Sequence, residues 1–268
     1  DSPAEKAGLK ENDILYKVEG KEVTGKDLSK VVSKVKGEKG TTVELTVLRG
    51  EDAKEVTVTA TRDTVQAQTI EYKMMDDKIG YIRVSEFDTV TYDQYKEALD
   101  DLEKQGMTGL VVDLRNNPGG SLSTVCDMLD LMLPKGLIVY TEDKNGKKTE
   151  MKSEEEHQFT KPLAVLVNGN SASASEILTS ALKEFKVATV VGTNTYGKGI
   201  VQSVIPLGDG TAIKLTTQKY FTHDGNDIHK KGVAPDIEVE LPDDYTYKDF
   251  QGKNDSQYQK GIEVLKEK

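Results

Sequence analysis

The sequence has 268 residues, of which 36 are Lys or Arg and 46 are Asp or Glu, so the formal net charge is −10. This acidic balance argues against a nucleic-acid partner, which would be gripped by clustered cations. A hydrophobic fraction of 36% with 31% charged residues is typical of one or two globular domains. The longest apolar run, near residues 163–167, is far shorter than the ~20 residues of a membrane-spanning helix, so we expect no such span.

Few side chains are available to hold a metal. Cys126 is the single cysteine, which excludes an internal disulfide or a cysteine-cluster site. The histidines are His157, His223 and His229, too few for a convincing zinc site, so we expect neither metal nor cofactor. His157 lies in a charged stretch and is expected to be exposed.

The first sixty residues predict a small α+β module. Residues 1–5 read as a capped helix start with Pro3 at an early helical position, and we expect further elements upstream of it. The patterns that follow are a strand at 13–18, a helix at 26–35, and strands at 42–48 and 55–61. We assign residues 1–62 to this module, 63–245 to a larger core and 246–268 to a helical tail.

The sequence pattern of the larger core predicts an α/β layer, because the predicted strands alternate with helices long enough to form crossover connections between strands. Strands are predicted at 70–73, 79–84, 110–114, 137–140, 163–167 and 188–191, and helices at 92–105, 123–133 and 173–185. A hairpin of strands 200–206 and 211–220 follows, and residues 258–268 predict a short amphipathic helix.

The first candidate for chemistry is the segment 168–176, which joins an apolar strand to a helix. A serine there lies at a helix N-terminus, whose free N–H groups suit an oxyanion. The structural alternative is strong, because Ser173 and Glu176 also form an S-x-x-E capping box. Spacing alone favours the cap.

The second candidate is the loop at residues 113–120, at the end of a predicted strand. Ligand sites in open α/β sheets gather at the carboxyl ends of strands, so this loop and the serine segment could face one crevice. The alternative is a plain Asn-Asn-Pro-Gly turn.

The third candidate is Lys198, which stands between Gly197 and Gly199. Lysines are abundant here, so a solvated surface charge is the alternative. The phosphate-loop pattern G-x-x-x-x-G-K-[ST] is absent, which excludes the nucleotide interpretation. A Ser-His-Asp triad through His223 and Asp224 is conceivable, but the surrounding residues are typical of a turn, and a surface histidine is the better interpretation.

Together these segments resemble the carboxy-terminal processing proteases, or tail-specific proteases, a serine peptidase family with a PDZ domain ahead of a crotonase-like core. Three motifs carry the resemblance in the family's order. They are R-N-N-P-G-G at residues 115–120, S-A-S-A-S-E-I-L at 171–178 and Y-G-K-G-I-V-Q at 196–202. The G-V-A-P-D at 232–236 also matches the family, whereas Thr222-His223 departs from its usual T-P.

The resemblance implies a role for each motif. It makes Ser173 the nucleophile, Lys198 the general base, Gln202 the residue that orients the lysine, and the N–H groups of Gly119 and Ala174 the oxyanion donors. Because a lysine is a base at neutral pH only where its uncharged form is favoured, we expect burial against apolar side chains away from carboxylates.

The amino-terminal module resembles the second half of a PDZ domain, with helix 28–35 as the groove wall. The first strands and the carboxylate-binding loop of such a domain are expected upstream, so the groove is partial as given. The resemblance also implies an extracytoplasmic setting with a leader or anchor upstream, and it leaves a homo-oligomer open.

Three functions are therefore weighed. The first is an endopeptidase that binds the C-terminal tail of a protein and cleaves it through an acyl-enzyme. The second is a non-catalytic PDZ-type peptide-binding or scaffolding module. The third is a crotonase-type acyl-CoA enzyme, which the acidic balance disfavours.

Overall fold

A computed structural model of the chain describes residues 2–154 and 158–267. It divides into two compact units, Asp1–Ala67 and Gln68–Lys268. His157 lies outside the described residues, so its exposure stays a prediction. Across the two described ranges, no helix is both long enough and apolar enough to cross a membrane.

The first unit has two helices and four strands, which are α1 (Pro3–Lys6), β1 (Ile14–Val18), β2 (Lys21–Glu22), α2 (Leu28–Val35), β3 (Thr42–Arg49) and β4 (Lys54–Thr61). The strands form an antiparallel sheet of order β2-β1-β3-β4. The predicted helix start is confirmed, because the Ser2 hydroxyl accepts from the Glu5 N–H at 3.1 Å. The apolar sides of the sheet and of α2 enclose a small core of Val18, Val23, Val31, Val43, Leu45 and Ala60.

The second unit contains the remaining regular elements. In chain order the strands are β5 (Ile70–Met74), β6 (Ile79–Val84), β7 (Gly109–Asp113), β8 (Gly136–Asp143), β9 (Lys148–Ser153), β10 (Leu163–Val167), β11 (Thr189–Gly192), β12 (Ile200–Pro206), β13 (Ala212–Phe221) and β14 (Ile237–Glu238). The helices are α3 (Thr91–Lys104), α4 (Leu122–Asp130), α5 (Ala174–Glu184) and α6 (Ser256–Lys266).

The central sheet of this unit has the order β14-β11-β10-β7-β6-β5. All neighbouring pairs are parallel except β5 with β6. Side chains of β10 alternate between two cores: Leu163, Val165 and Val167 belong to a core shared with α3, α4 and α5, while Ala164 and Leu166 belong to one shared with α6. Both faces are thus covered by helices, as expected for an apolar parallel strand.

A second sheet, of order β12-β13-β8-β9, contains the predicted hairpin β12–β13. Strand β9 was not predicted, because its six residues are mostly charged or polar and lack an apolar alternation. The Asn145-Gly146 turn was the available signal, since this dipeptide is the strongest short-range mark of a hairpin. Gly146 has φ +79° there.

Candidate active site

The loops after β7 and β10 meet, because these strands are parallel neighbours and end at the same edge of the sheet. The Asn116 N–H donates to Asn168 Oδ1 at 3.0 Å. The Ala172 N–H donates to the Asn117 carbonyl oxygen at 3.0 Å. The prediction that the two loops face one crevice is confirmed.

Ser173 lies at the start of α5 with a strained backbone. Its φ is +57° and its ψ is −114°, a combination that non-glycine residues rarely adopt and that costs about 1–3 kcal/mol. The N–H groups of Glu176 and Ile177 both donate to the Ser173 carbonyl oxygen, at 2.8 and 3.1 Å. The carbonyl oxygen thus satisfies two first-turn donors, and the predicted capping box is present, with the Glu176 carboxylate accepting from the Ser173 N–H.

A cleft of about 360 Å³ opens at this point. Ser173, Ala174, Lys198 and Gln202 line it together. The other lining residues are Pro118, Gly120, Ser121, Leu122, Ile177, Ile200, Val201, Lys214 and Tyr220. Residues from three separate motifs therefore share one concave surface, which is as polar as it is apolar and has no carboxylate among its lining residues.

Glu176 joins the serine turn to the lysine loop, a function that the capping-box pattern alone did not predict. Its buried carboxylate accepts from the Ser173 and Lys198 N–H groups, both at 2.8 Å, through Oε2. Its Oε1 accepts from the Thr195 hydroxyl and the Gly197 N–H, both at 2.6 Å. The carboxylate thus fixes the backbones of the predicted nucleophile and base relative to each other.

Lys198 differs from its predicted surroundings in two respects. It is half-buried rather than buried, and the carboxylate of Glu176 lies beside its backbone. The physical reason is that the Glu176 charge is needed to anchor the loop, where its oxygens are occupied by four donors. The flanking glycines do permit close packing as predicted, since a Cβ on Gly199 would lie 2.7 Å from the His229 nitrogen.

The predicted oxyanion donors differ in their present hydrogen bonding. The Gly119 N–H donates to Asn117 Oδ1 at 2.8 Å. For Ala174, no hydrogen bond of the N–H is found within the described part of the chain. Gly119 packs so closely on the serine turn that a Cβ would lie 2.6 Å from the Ala172 oxygen and 2.8 Å from Ser173 Cβ.

The rings of Tyr220 and His223 differ in whether they contact the serine turn. Tyr220 is buried and donates its hydroxyl to the Ser173 carbonyl oxygen at 3.2 Å, and burial, with the Glu176 charge, raises the pKa of the phenol. His223 does not line the cleft; its Nδ1 lies 2.7 Å from the Leu137 oxygen, and its ring packs on Phe185. The geometry offers no triad through His223.

Comparisons with known proteins agree with the sequence motifs. The model of peptidase family S41 matches residues 78–239, and a PDZ-domain model matches residues 1–49. The carboxy-terminal processing proteases CtpA and CtpB of Bacillus subtilis (strain 168) are 42% and 41% identical to the chain over 243 and 246 residues. Each alignment covers 90% of this chain, and 52% and 51% of the two relatives.

A solved structure of a photosystem II D1 C-terminal processing protease is also similar. It superposes with a TM-score of 0.62 and 31% sequence identity, covering 98% of this chain and 72% of that one. These matches confirm the predicted class, a mixed α/β peptidase core preceded by a PDZ-type region. The chain spans about half the length of the curated relatives from Bacillus subtilis.

Proposed function

Because this chain belongs to peptidase family S41, we propose that it cleaves the C-terminal tails of proteins with a Ser173–Lys198 dyad. The observation that carries the proposal is the convergence of Ser173, Lys198 and Gln202 on one cleft. The strained backbone of Ser173 supports it, because such strain is concentrated at functional sites. The PDZ match at residues 1–49 supports recognition of a peptide by the first unit.

The reaction begins with a proton transfer. The uncharged Lys198 amine takes the Ser173 hydroxyl proton as the serine oxygen attacks the scissile carbonyl carbon. Gln202 holds the amine in place. The negative charge on the carbonyl oxygen is stabilised by the Ala174 N–H and by the Gly119 N–H, which exchanges the Asn117 side chain for the oxyanion.

The intermediate then collapses. The C–N bond breaks, the ammonium of Lys198 returns its proton to the leaving amine, and the acyl group stays on Ser173. A water molecule, deprotonated by the same amine, attacks the acyl carbon; the ester bond to Ser173 then breaks, the Lys198 ammonium returns its proton to the serine oxygen, and the carboxylic acid product leaves. The site residues thus perform hydrolysis with no cofactor. In this proposal the protein works outside the cytoplasm, as the family resemblance implies.

The proposal is tested with a folded protein that carries an unfolded C-terminal tail, with mass spectrometry of the products. Ser173→Ala and Lys198→Ala are each expected to lose at least about 1,000-fold in cleavage rate, since nucleophile and base act as a unit. Ser121→Ala and Lys214→Ala, which change a hydroxyl and an amine in the same cleft, are expected to lose at most about tenfold.

Normal cleavage by Ser173→Ala or by Lys198→Ala would contradict the dyad. Tail binding without any cleavage by the unmodified chain would instead support the peptide-binding module.

A further inference from the structure

A buried charged cluster lies at the end of β7, outside the cleft. Arg115 donates to Asp113 Oδ2 at 2.7 Å and to both oxygens of Asp255 at 2.8 and 2.9 Å. All three residues are at most 5% exposed. The Tyr81 hydroxyl donates to Asp113 at 2.8 Å. Burial opposes the charge on Arg115, but the two carboxylates outweigh it, so the pKa of the guanidinium is raised.

Asp255 serves the cluster and the C-terminal helix at once. Its Oδ1 accepts from the Tyr258 N–H at 3.0 Å, which caps α6, and its Oδ2 accepts from the Gln251 N–H at 3.1 Å. Arg115 and Asp255 are 140 residues apart in sequence. The start of α6 is therefore fixed to the residue that opens the R-N-N-P-G-G loop.

A short chain of hydrogen bonds leads from Leu114, the residue before Arg115, to the predicted oxyanion donor Gly119 and to the serine turn. The Asn117 N–H donates to the Leu114 oxygen at 3.1 Å. Asn117 Oδ1 accepts from the Gly119 N–H at 2.8 Å, and the Asn117 backbone oxygen accepts from the Ala172 N–H at 3.0 Å. A shift of the Arg115 backbone would move Gly119 against the serine turn.

Stability is a weak explanation for such a cluster, because a buried ion pair often stabilises a fold no better than apolar residues of the same size. The two parallel hydrogen bonds between Arg115 and Asp255 instead fix the orientation of these side chains relative to each other. We propose that Asp255 is a positioning residue for the oxyanion-binding loop, acting through Arg115 from the start of the C-terminal helix. This inference rests on the proposed peptidase function.

The test compares the full chain with its Asp255→Asn variant in two measurements. The kcat for tail cleavage is expected to fall about tenfold or more with KM changed less than about threefold, since misplaced donors act on the transition state. A peptide aldehyde, whose adduct with Ser173 carries the oxyanion, is expected to lose affinity by a similar factor. The matching peptide alcohol, which forms no adduct, is expected to bind unchanged.

Leu265→Ala is the matched control, because it removes apolar packing of α6 and leaves the side chains of Arg115, Asp113 and Asp255 in place. It is expected to lower Tm and to leave kcat and aldehyde affinity unchanged. If Asp255→Asn does not fold, Gln257→Leu is measured instead, because it keeps Asp255 and removes the 3.3 Å bond from Arg115, together with the 2.8 Å bond that Gln257 donates to the Val239 oxygen. That variant is expected to lose about twofold to threefold in kcat and in aldehyde affinity.

Unchanged kcat and aldehyde affinity in Asp255→Asn, or in Gln257→Leu where that variant replaces it, would overturn the inference. So would an equal loss in Leu265→Ala, which would assign the effect to stability. These results are separate from the dyad test: cleavage by Ser173→Ala refutes the proposed function, whatever Asp255 does.

Discussion

The two units differ in how completely they bury their paired charged side chains. In the first unit Arg49 pairs with Asp13 at 2.6 Å, and although the Asp13 side chain is 5% exposed, the Arg49 side chain stays 28% exposed. In the second unit Arg115, Glu176 and Asp255 are at most 5% exposed and are each held by several hydrogen bonds. A pair that water reaches on one side contributes less, because water and salt screen it, whereas removing one partner of a fully buried pair leaves the other charged group unsatisfied. The Arg49–Asp13 pair therefore supports the first unit only weakly, whereas in the second unit the Glu176 carboxylate fixes the backbones of two cleft residues, Ser173 and Lys198.

The largest effect is expected when the same glycine-to-alanine substitution is made at a crowded position beside the serine turn and at an open position of the first unit. Gly119→Ala is expected to reduce cleavage about 1,000-fold, because its Cβ would collide with the serine turn and displace the oxyanion donors. Gly50 of the first unit has φ +74°, and a Cβ added there would meet nothing within 4 Å. Gly50→Ala is thus expected to cost about 1 kcal/mol through backbone strain and to leave the cleavage rate intact.

Steady-state cleavage and urea unfolding of both variants provide the measurement. Similar activity losses in the two would show that backbone conformation, not crowding at the cleft, decides the outcome.

A smaller but still large effect is expected for Glu176→Gln. The side-chain amide nitrogen would then face donor groups whose hydrogen bonds a carboxylate oxygen accepts in the wild type. Leaving those donors unsatisfied is expected to lower the free energy of unfolding by about 3 kcal/mol. The lysine loop would shift from the serine turn, and a misplacement of about 1 Å lowers the rate about 100-fold. The measurement is kcat at a temperature where the variant remains folded.

Asp143→Asn is the matched control for Glu176, because Asp143 also accepts two backbone N–H bonds, from Asn145 and Lys147, in a turn between β8 and β9. It is expected to keep kcat within about threefold. An unchanged kcat in Glu176→Gln would show that the carboxylate does not position Ser173 and Lys198 relative to each other.

The smallest effect belongs to the first unit. The hydrogen bond from Arg49 lowers the pKa of Asp13 from its ordinary 3.8 to about 2. A carboxyl with a lowered pKa in the folded state stabilises that state above pH 3.8, and the contribution disappears as the pH falls towards 2. Asp13→Asn is therefore expected to lower Tm by about 4 °C at neutral pH, with the difference from wild type vanishing in acid.

Hydrogen exchange of the β1 and β3 amides reports this local change. Asp52→Asn, at an exposed turn of the same unit, is expected to change nothing. A difference between Asp13→Asn and wild type that persists unchanged at pH 2 would exclude the ion pair as its cause.

Local patterns predicted much of this molecule because their causes are local. The strand at 163–167 was predicted to the residue, since a continuous apolar run is buried on both faces of a parallel sheet. The crevice between the loops after β7 and β10 followed from the rule that parallel strands end at one edge. The roles of Ser173 and Lys198 came from family resemblance and remain proposals.

What the sequence did not reveal depends on contacts between distant segments. The link from Glu176 to the 195–198 loop has no spacing signature, and the capping box explained the glutamate without it. The pairing of Arg115 with Asp255 spans 140 residues, so the C-terminal segment read only as a tail. Both carboxylates owe their importance to burial, which a polar residue in a sequence does not display.

The activation of Ser173 by Lys198 is tested most directly by covalent labelling with a fluorophosphonate, mapped by mass spectrometry. The account predicts that the label is found on Ser173 and that Lys198→Met slows labelling by about 100-fold or more, while Lys214→Met labels at the wild-type rate. A label on another serine, or equal labelling rates for wild type and Lys198→Met, would contradict it.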